Sequence, residues 1–575
     1  MTARFDAITL EVLWTRIISV VDEAAKAIVR TSFSTLSNEA NDFACVLTDA
    51  RGFALAQNSG SIPSFIGTLP ATVRHFLAGI GPAHMRPGDV LITNDPWQGT
   101  GHMSDVCLVK PIFVSSKEGG PPRLVAFSAT TAHMPDIGGR IRAIEARELF
   151  EEGFHIPLTH LIRAGQVDET LLGLLRANVR TPDQTVGDIW AQVSANELME
   201  SRVRRLMEEY GLDTLEGLAD ELFSRSERAM RSAIQAVPDG TYRFGIETDG
   251  FEAPYRFRVA LTVRGDEIVA DFTGTSPAQP RAINCVMAYT YAMTAYAVRC
   301  ALLPGLPNNE GMYRPVKVEA PEGCLLNPKF PAAVVSRAQT GHYVPILVLG
   351  ALHQVIPDRV AAAAGSPLWA VAQSGVRDDG RPYTTVLFFN GGMGATASKD
   401  GEHVLSWPSN ISSTPVEVAE RNSPLFFHYK RMRPGSGGRG RFRGGLGQDM
   451  LIESESRRPI VISFMAERTR FPAPGLAGGG PGGLGAVKIN GKTIDHRRQH
   501  VLERGDRVLV STPGGGGYGA AARRAPELRE RDRRLGYVER RGSWALGGRD
   551  RRGEPGAIGT GPPRGRRSSG RSRAR

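Results

Sequence analysis

Two near-identical tetrapeptides, His102-Met103-Ser104-Asp105 and His133-Met134-Pro135-Asp136, lie about thirty residues apart in a chain with only 12 histidines. Each follows a stretch that reads as a β-strand and each is bracketed by glycines, so two His/Asp pairs can converge at neighbouring strand ends, which makes a metal site the hypothesis to test. Imidazole nitrogen and carboxylate oxygen are donors for a divalent first-row metal, and two His with two Asp suit Zn, Mn or Fe better than Ca or Mg. A carboxylate buried at a strand end is costly unless a cation offsets its desolvation. Asp42, leading into the apolar run Phe43 to Leu47, is a further candidate. A lone HxxD commonly marks a turn or a capped helix end; the duplication, with Asn94-Asp95-Pro96 just upstream, favours the metal.

At 575 residues the chain exceeds a single small core, and domains of roughly 100 to 200 residues imply three or four structural units. It contains no apolar run of 18 residues or more, and Met1 to Asp6 lack a charged segment followed by an apolar one. Neither a spanning helix nor a secretory signal is expected, and the chain reads as cytoplasmic with no membrane partner. Five cysteines (Cys45, Cys107, Cys285, Cys300, Cys324) are odd in number and form no CxxC pair, which argues against a disulfide framework or a thiolate zinc site. Cys45 and Cys107 sit in apolar runs and read as small buried hydrophobes.

The net charge of +11 suggests nucleic acid until it is located. Residues 520–575 hold 17 Arg and 6 acidic residues, which accounts for all of it and leaves the preceding body neutral. Groove or phosphate binding needs a basic patch on a folded face. A terminal segment this poor in apolar residues is expected to be disordered, so no specific nucleic-acid partner is expected.

Apolar positions recur at three and four over residues 8–33, which predicts an amphipathic helix. Strands are predicted at 43–48, 89–93, 106–114 and 124–132. The pattern turns helical from 166 to 236, and Pro238-Asp239-Gly240 ends that run. Strands at 241–248, 256–263 and 267–272 follow, the last two joined across Arg264-Gly265-Asp266, then helices at 285–303 and 344–355. The expected fold class is a multidomain mixture of α/β and α+β. Its parts are a metal-bearing α/β region (1–165), a helical region (166–240), a mixed α/β region (241–380), a Gly-rich β-dominated region (381–519) and a disordered basic tail (520–575).

Glycine clusters fall at 435–447, 474–485 and 512–519. None sits between a strand and a helix as GxGxxG with a following acidic residue, and none ends in GK and Ser or Thr, so dinucleotide and P-loop readings fail. Positive φ in tight turns between strands is the expected reason for these glycines; a backbone-lined surface for a partner or an anionic intermediate is the alternative. No Gly-x-Ser-x-Gly elbow occurs.

Read together, NDFACVLTD, GDVLITNDPWQGTGHMSDV, AHMPDIGG, EEGFHIP, NVRTPDQTVGD, RPVKVEAPEGCLLNP, TPVEVAE, SGGRGRFRGGLG, PGLAGG and TPGGGGYG resemble, in order and over roughly residues 5 to 520, the hydantoinase B/oxoprolinase family. These are the B-type subunits of ATP-dependent cyclic amide hydrolases and of related ketone carboxylases. The resemblance implies a divalent metal held by Asp42, His102, Asp105 and His133, with Asp136 as a proton acceptor or supporting residue and Asn94 and Asp95 as supports. It implies a hetero-oligomer in which an A-type subunit, carrying ATP and Mg, phosphorylates a small cyclic amide such as hydantoin, N-methylhydantoin or 5-oxoproline. The B-type subunit then acts on the activated intermediate. The chain departs from the family pattern at SNEAN before Asp42 and at SRAQTGHYV, residues 336–344. The alternatives are a subunit of an acetone- or acetophenone-type carboxylase and, outside enzymes, a noncatalytic scaffold or polyanion-binding protein.

Overall fold

The computed structural model describes residues 5–115, 120–140 and 144–538. Its first helix, α1 (Ala7–Thr31), begins at Asp6, whose carboxylate accepts the Ile8 and Thr9 amides and so caps the free end. One face, from Leu10 and Leu13 through Ile17 and Val21 to Ala24 and Ile28, is buried at the predicted spacing.

That face covers a seven-stranded sheet made of β1 (Phe43–Asp49), β2 (Ala54–Gln57), β3 (Val90–Thr93), β4 (Asp105–Val114), β5 (Arg123–His133), β6 (Thr159–Arg163) and β7 (Gln166–Val167). The strand order is β2-β1-β5-β4-β3-β6-β7. All six pairings are antiparallel, so this region mixes helix and strand as expected but lacks the parallel sheet that the α/β description implies.

The unbroken burial of β1 has a simple cause. Phe43, Cys45 and Leu47 face the core shared with α1 and helix Pro182–Glu209, while Ala44 and Val46 face a second core. Helix Thr68–Gly79 and the inner face of a sheet containing Trp369–Val376 and Pro382–Phe389 complete that second core. Alternate side chains of the latter strands, such as Trp369, Val371 and Leu387, turn outward into a third core under the C-terminal five-stranded sheet. Strands Gly240–Thr248, Tyr255–Arg264, Glu267–Asp271 and Val316–Glu319 form a four-stranded sheet packed by helix Tyr343–Leu352, and its buried side chains join the first core. Gly265 takes φ 59° in the predicted hairpin there.

Two expectations change. Within the three glycine clusters only Gly435, Gly478 and Gly519 have positive φ. Most of the others lie where backbone meets backbone: a Cβ on Gly444 would fall 2.0 Å from the Gly515 carbonyl oxygen, and one on Gly517 would fall 2.2 Å from that of Arg439. The tail is also ordered in its first part. Arg524 reaches Asp400 at 2.7 Å and Asp532 at 2.7 Å, Arg531 reaches Asp400 at 2.6 Å, and Gly435 donates to the Tyr537 carbonyl. Ion pairing, which a count of apolar residues overlooks, holds 520–538 to the body; the remaining tail, 539–575, lies outside the described residues.

Candidate metal centre

Three adjacent strands bring the expected residues together. In β4 and β5, Asp105 stands directly opposite His133, and β1 runs beside β5 so that the His133 amide donates to the Asp42 carbonyl at 2.9 Å. His102 joins them from the turn into β4, where the Asp105 amide donates to its carbonyl at 3.2 Å. Gly101 in that turn has φ 108°, and a Cβ there would lie 2.7 Å from the Arg337 Nε, so glycine is required twice over.

One donor atom each from His102, Asp105 and His133 lies within 4.8 Å of the others, and Asp42 lines the same cavity. All four are buried. His102 Nδ1 lies 2.8 Å from the Val335 carbonyl, which can only accept, so Nδ1 carries a proton, and Nε2 lies 2.7 Å from Asp105 Oδ1. His133 Nδ1 is 2.9 Å from the same oxygen. Two imidazoles and a carboxylate gathered this closely in a buried cavity form a donor set that fits a divalent cation of the borderline kind.

Burial alone would raise the Asp105 carboxyl. The charges of His102 and Arg337, with hydrogen bonds from His102 and His133, overcome it and hold the group well below the usual carboxylate range. His342, on the cavity wall, is pushed down to about 3 by burial and by the Arg337 charge, so it is neutral at physiological pH. Its Nδ1 accepts the Leu368 amide at 3.3 Å, which leaves the proton on Nε2. Burial pushes the Cys107 thiol up to about 12, in keeping with a small hydrophobe.

The surrounding motifs serve as braces. Asn94 donates to the Met103 and Phe154 carbonyls, both at 2.9 Å, and accepts the Ile156 amide at 2.6 Å. Asp95 accepts the Trp97 and Gln98 amides and faces His155 Nε2 at 2.9 Å. Glu152 accepts the Val334 and Val335 amides at 2.6 and 2.8 Å, fixing the peptide that orients His102. Helix Pro182–Glu209 supports both flanks: Asp188 accepts the Phe33 and Ser34 amides and both Ser34 and Ser37 hydroxyls, and Thr185 donates to the Asp136 carbonyl. Asp136 is not brought to the cluster; its carboxylate takes the Gly138 amide, the Arg180 amide and the Arg180 guanidinium.

Sequence reasoning missed the opposite wall. Arg337, Tyr289 and His342 line the cavity from distant parts of the chain, and only the departure of SRAQTGHYV from the family pattern hinted at two of them. Arg337 Nη2 lies 2.6 Å from Asp105 Oδ2, its Nε donates to the Thr100 carbonyl at 3.1 Å, and its guanidinium sits 4.5 Å over the Tyr289 ring. The cavity is about 40 Å³, room for a water or two.

The sequence and the fold have counterparts. The family model for hydantoinase B/oxoprolinase matches residues 6–521, and the chain belongs to that family. It is 30% identical over 552 residues to a provisionally named B-type component of a D-/L-hydantoinase from Pseudomonas sp. (strain NS671), covering 91% of this chain and 92% of that one. It is 30% identical over 553 residues to the beta component of the caprolactamase of Pseudomonas jessenii, with 90% and 92% covered. The crystal structure of the ATP-dependent caprolactamase from Pseudomonas jessenii superposes with TM-score 0.79 at 27% identity, covering 93% of this chain and 95% of that one. In 5-oxoprolinase 1 of Arabidopsis thaliana the matching part is 42% of a longer chain. Among the described residues, no helix is long and apolar enough to cross a membrane.

Proposed function

We propose that this chain is the metal-dependent B-type subunit of an ATP-dependent cyclic amide hydrolase. In this reading an A-type subunit phosphorylates a ring such as hydantoin, N-methylhydantoin or 5-oxoproline, and this chain opens it. The observation that carries the proposal is the convergence of His102, Asp105 and His133 on one point, in a cavity that Asp42 also lines. Relatives named as subunits of a hydantoinase and a caprolactamase support the ring amide and the separate partner.

Asp42, His102, Asp105 and His133 would hold the ion. When bound, a divalent ion supplies Lewis acidity and a water that ionises near neutral pH. The Val335 carbonyl fixes the His102 tautomer, and the closely packed walls exclude bulk water from the reacting bond. Neutral His342 offers an Nε2 proton at the cavity wall as a hydrogen bond to an oxygen of the intermediate.

Metal analysis of the purified chain is expected to find one divalent ion, retained in Arg180→Ala and lost in His102→Ala and Asp105→Ala with the circular dichroism spectrum unchanged. ATP-dependent ring opening is expected only with the A-type partner present. Full metal in both ligand variants, or undiminished ring opening by His133→Ala, would refute the proposal. Turnover that requires bicarbonate and a ketone would move it to the carboxylase branch.

A further inference from the structure

The two oxygens of Asp105 have different company. Oδ1 faces the imidazoles of His102 and His133, at 2.7 and 2.9 Å. Oδ2 is held by Arg337 Nη2 at 2.6 Å and by the Thr100 hydroxyl at 2.8 Å. Arg337 is 4% exposed and clamped by the Thr100 carbonyl and the Tyr289 ring, so its fork is fixed before any ligand arrives. A charge-assisted bond of this length in a buried site is among the stronger polar contacts a protein makes.

We infer that Arg337 is a positioning residue that confines Asp105 to one-oxygen ligation. This rests on the proposed metal-dependent function and extends it. With Oδ2 taken, the carboxylate cannot chelate through both oxygens, and a coordination position stays open for substrate or water, as catalytic sites require. The guanidinium also withdraws charge from Asp105, which weakens the carboxylate as a donor and sharpens the acidity of whatever ion it holds. The cost is affinity, because a fixed positive charge stands beside a site for a dication. Arg337 lies in the segment where this chain departs from the family pattern.

The test is cobalt(II) titration of the full chain, followed by visible absorption and by competition with a chelator. Wild type is expected to take up one cobalt with the strong absorption of a four- or five-coordinate ion. Arg337→Met is expected to bind cobalt about tenfold or more tightly, a change of about 1.4 kcal/mol, and to show weaker absorption as Asp105 closes on the ion through both oxygens. Arg337→Lys, which keeps the charge without the fork, should retain the weaker affinity. Thr100→Val should shift the spectrum in the same direction as Arg337→Met but less, and it serves if Arg337→Met does not fold. An unchanged spectrum and affinity, or weaker binding, in Arg337→Met or in its Thr100→Val substitute overturns the inference while leaving the metal reading intact. Wild type without stoichiometric cobalt overturns both.

Discussion

At the scale of single residues, electrostatics separates groups that sequence treats alike. Burial pushes the Glu152 carboxyl up to about 8, with the Val334 and Val335 amides only partly offsetting it. In the unfolded chain the same group ionises near 4.5, so the folded form holds the extra proton between those values. Its contribution to stability is complete below the unfolded value and is lost as pH rises through about 8. Glu152→Gln keeps the oxygen that accepts both amides and removes the ionisation. Its unfolding free energy in urea titration is expected to gain on wild type as pH rises from about 5 to about 8, by up to about 1.4 kcal/mol per pH unit; a gap that stays constant across that range would contradict the assignment. The clustered His102, Asp105 and His133 were legible as candidates because the HxxD repeat is local. Arg337 and Glu152 were not, because they act on Asp105 and His102 from distant segments, and no spacing rule connects them.

Among the elements, helix Pro182–Glu209 does more for the candidate site than its exposed pattern suggests. Asp188 gathers four donors from the segment leading to Asp42, and Asp136, at the end of the second His-containing motif, is tied to Arg180 just before the helix. Removing a buried acceptor leaves those donors unsatisfied. Asp188→Ala is therefore expected to lower the unfolding free energy by about 2–4 kcal/mol in urea titration and to weaken metal binding, whereas Asp188→Asn should do less of both. Equal metal affinity in Asp188→Ala and wild type would mean that the helix does not position Asp42. The sequence placed α1, β1, β3, β4 and β5 to within a residue or two because burial periodicity is a local signal, and it missed the short β2. It could not supply strand order, since β1 and β4 flank β5 only after the chain has crossed the sheet.

For the whole molecule, the C-terminal segment tests how far ion pairs extend the fold. Asp400 receives Arg524 and Arg531, and Asp532 receives Arg443 and Arg524, all in partly or fully buried positions. A chain cut after 519 strands Asp400 and Arg443 without those partners, which is a costly arrangement. It is expected to melt several degrees lower than the full chain, by calorimetry, while a chain cut after 538 melts with it. Equal melting of the two truncated forms would show that residues 520–538 contribute nothing.

Contiguous residues were enough to establish the family, the mixture of helix and strand, and the His and Asp types at the strand ends, because each is written in an unbroken stretch of chain. Three-dimensional packing settled that Asp105 and His133 face one another, that Asp136 turns away to Arg180, and that an arginine 232 residues after Asp105 takes its second oxygen. The same is true of the glycines, whose lack of a side chain serves close backbone contact more than turning. These outcomes depend on which segments become neighbours, and that is set by burying two faces of one sheet at once, a condition no local stretch of residues contains.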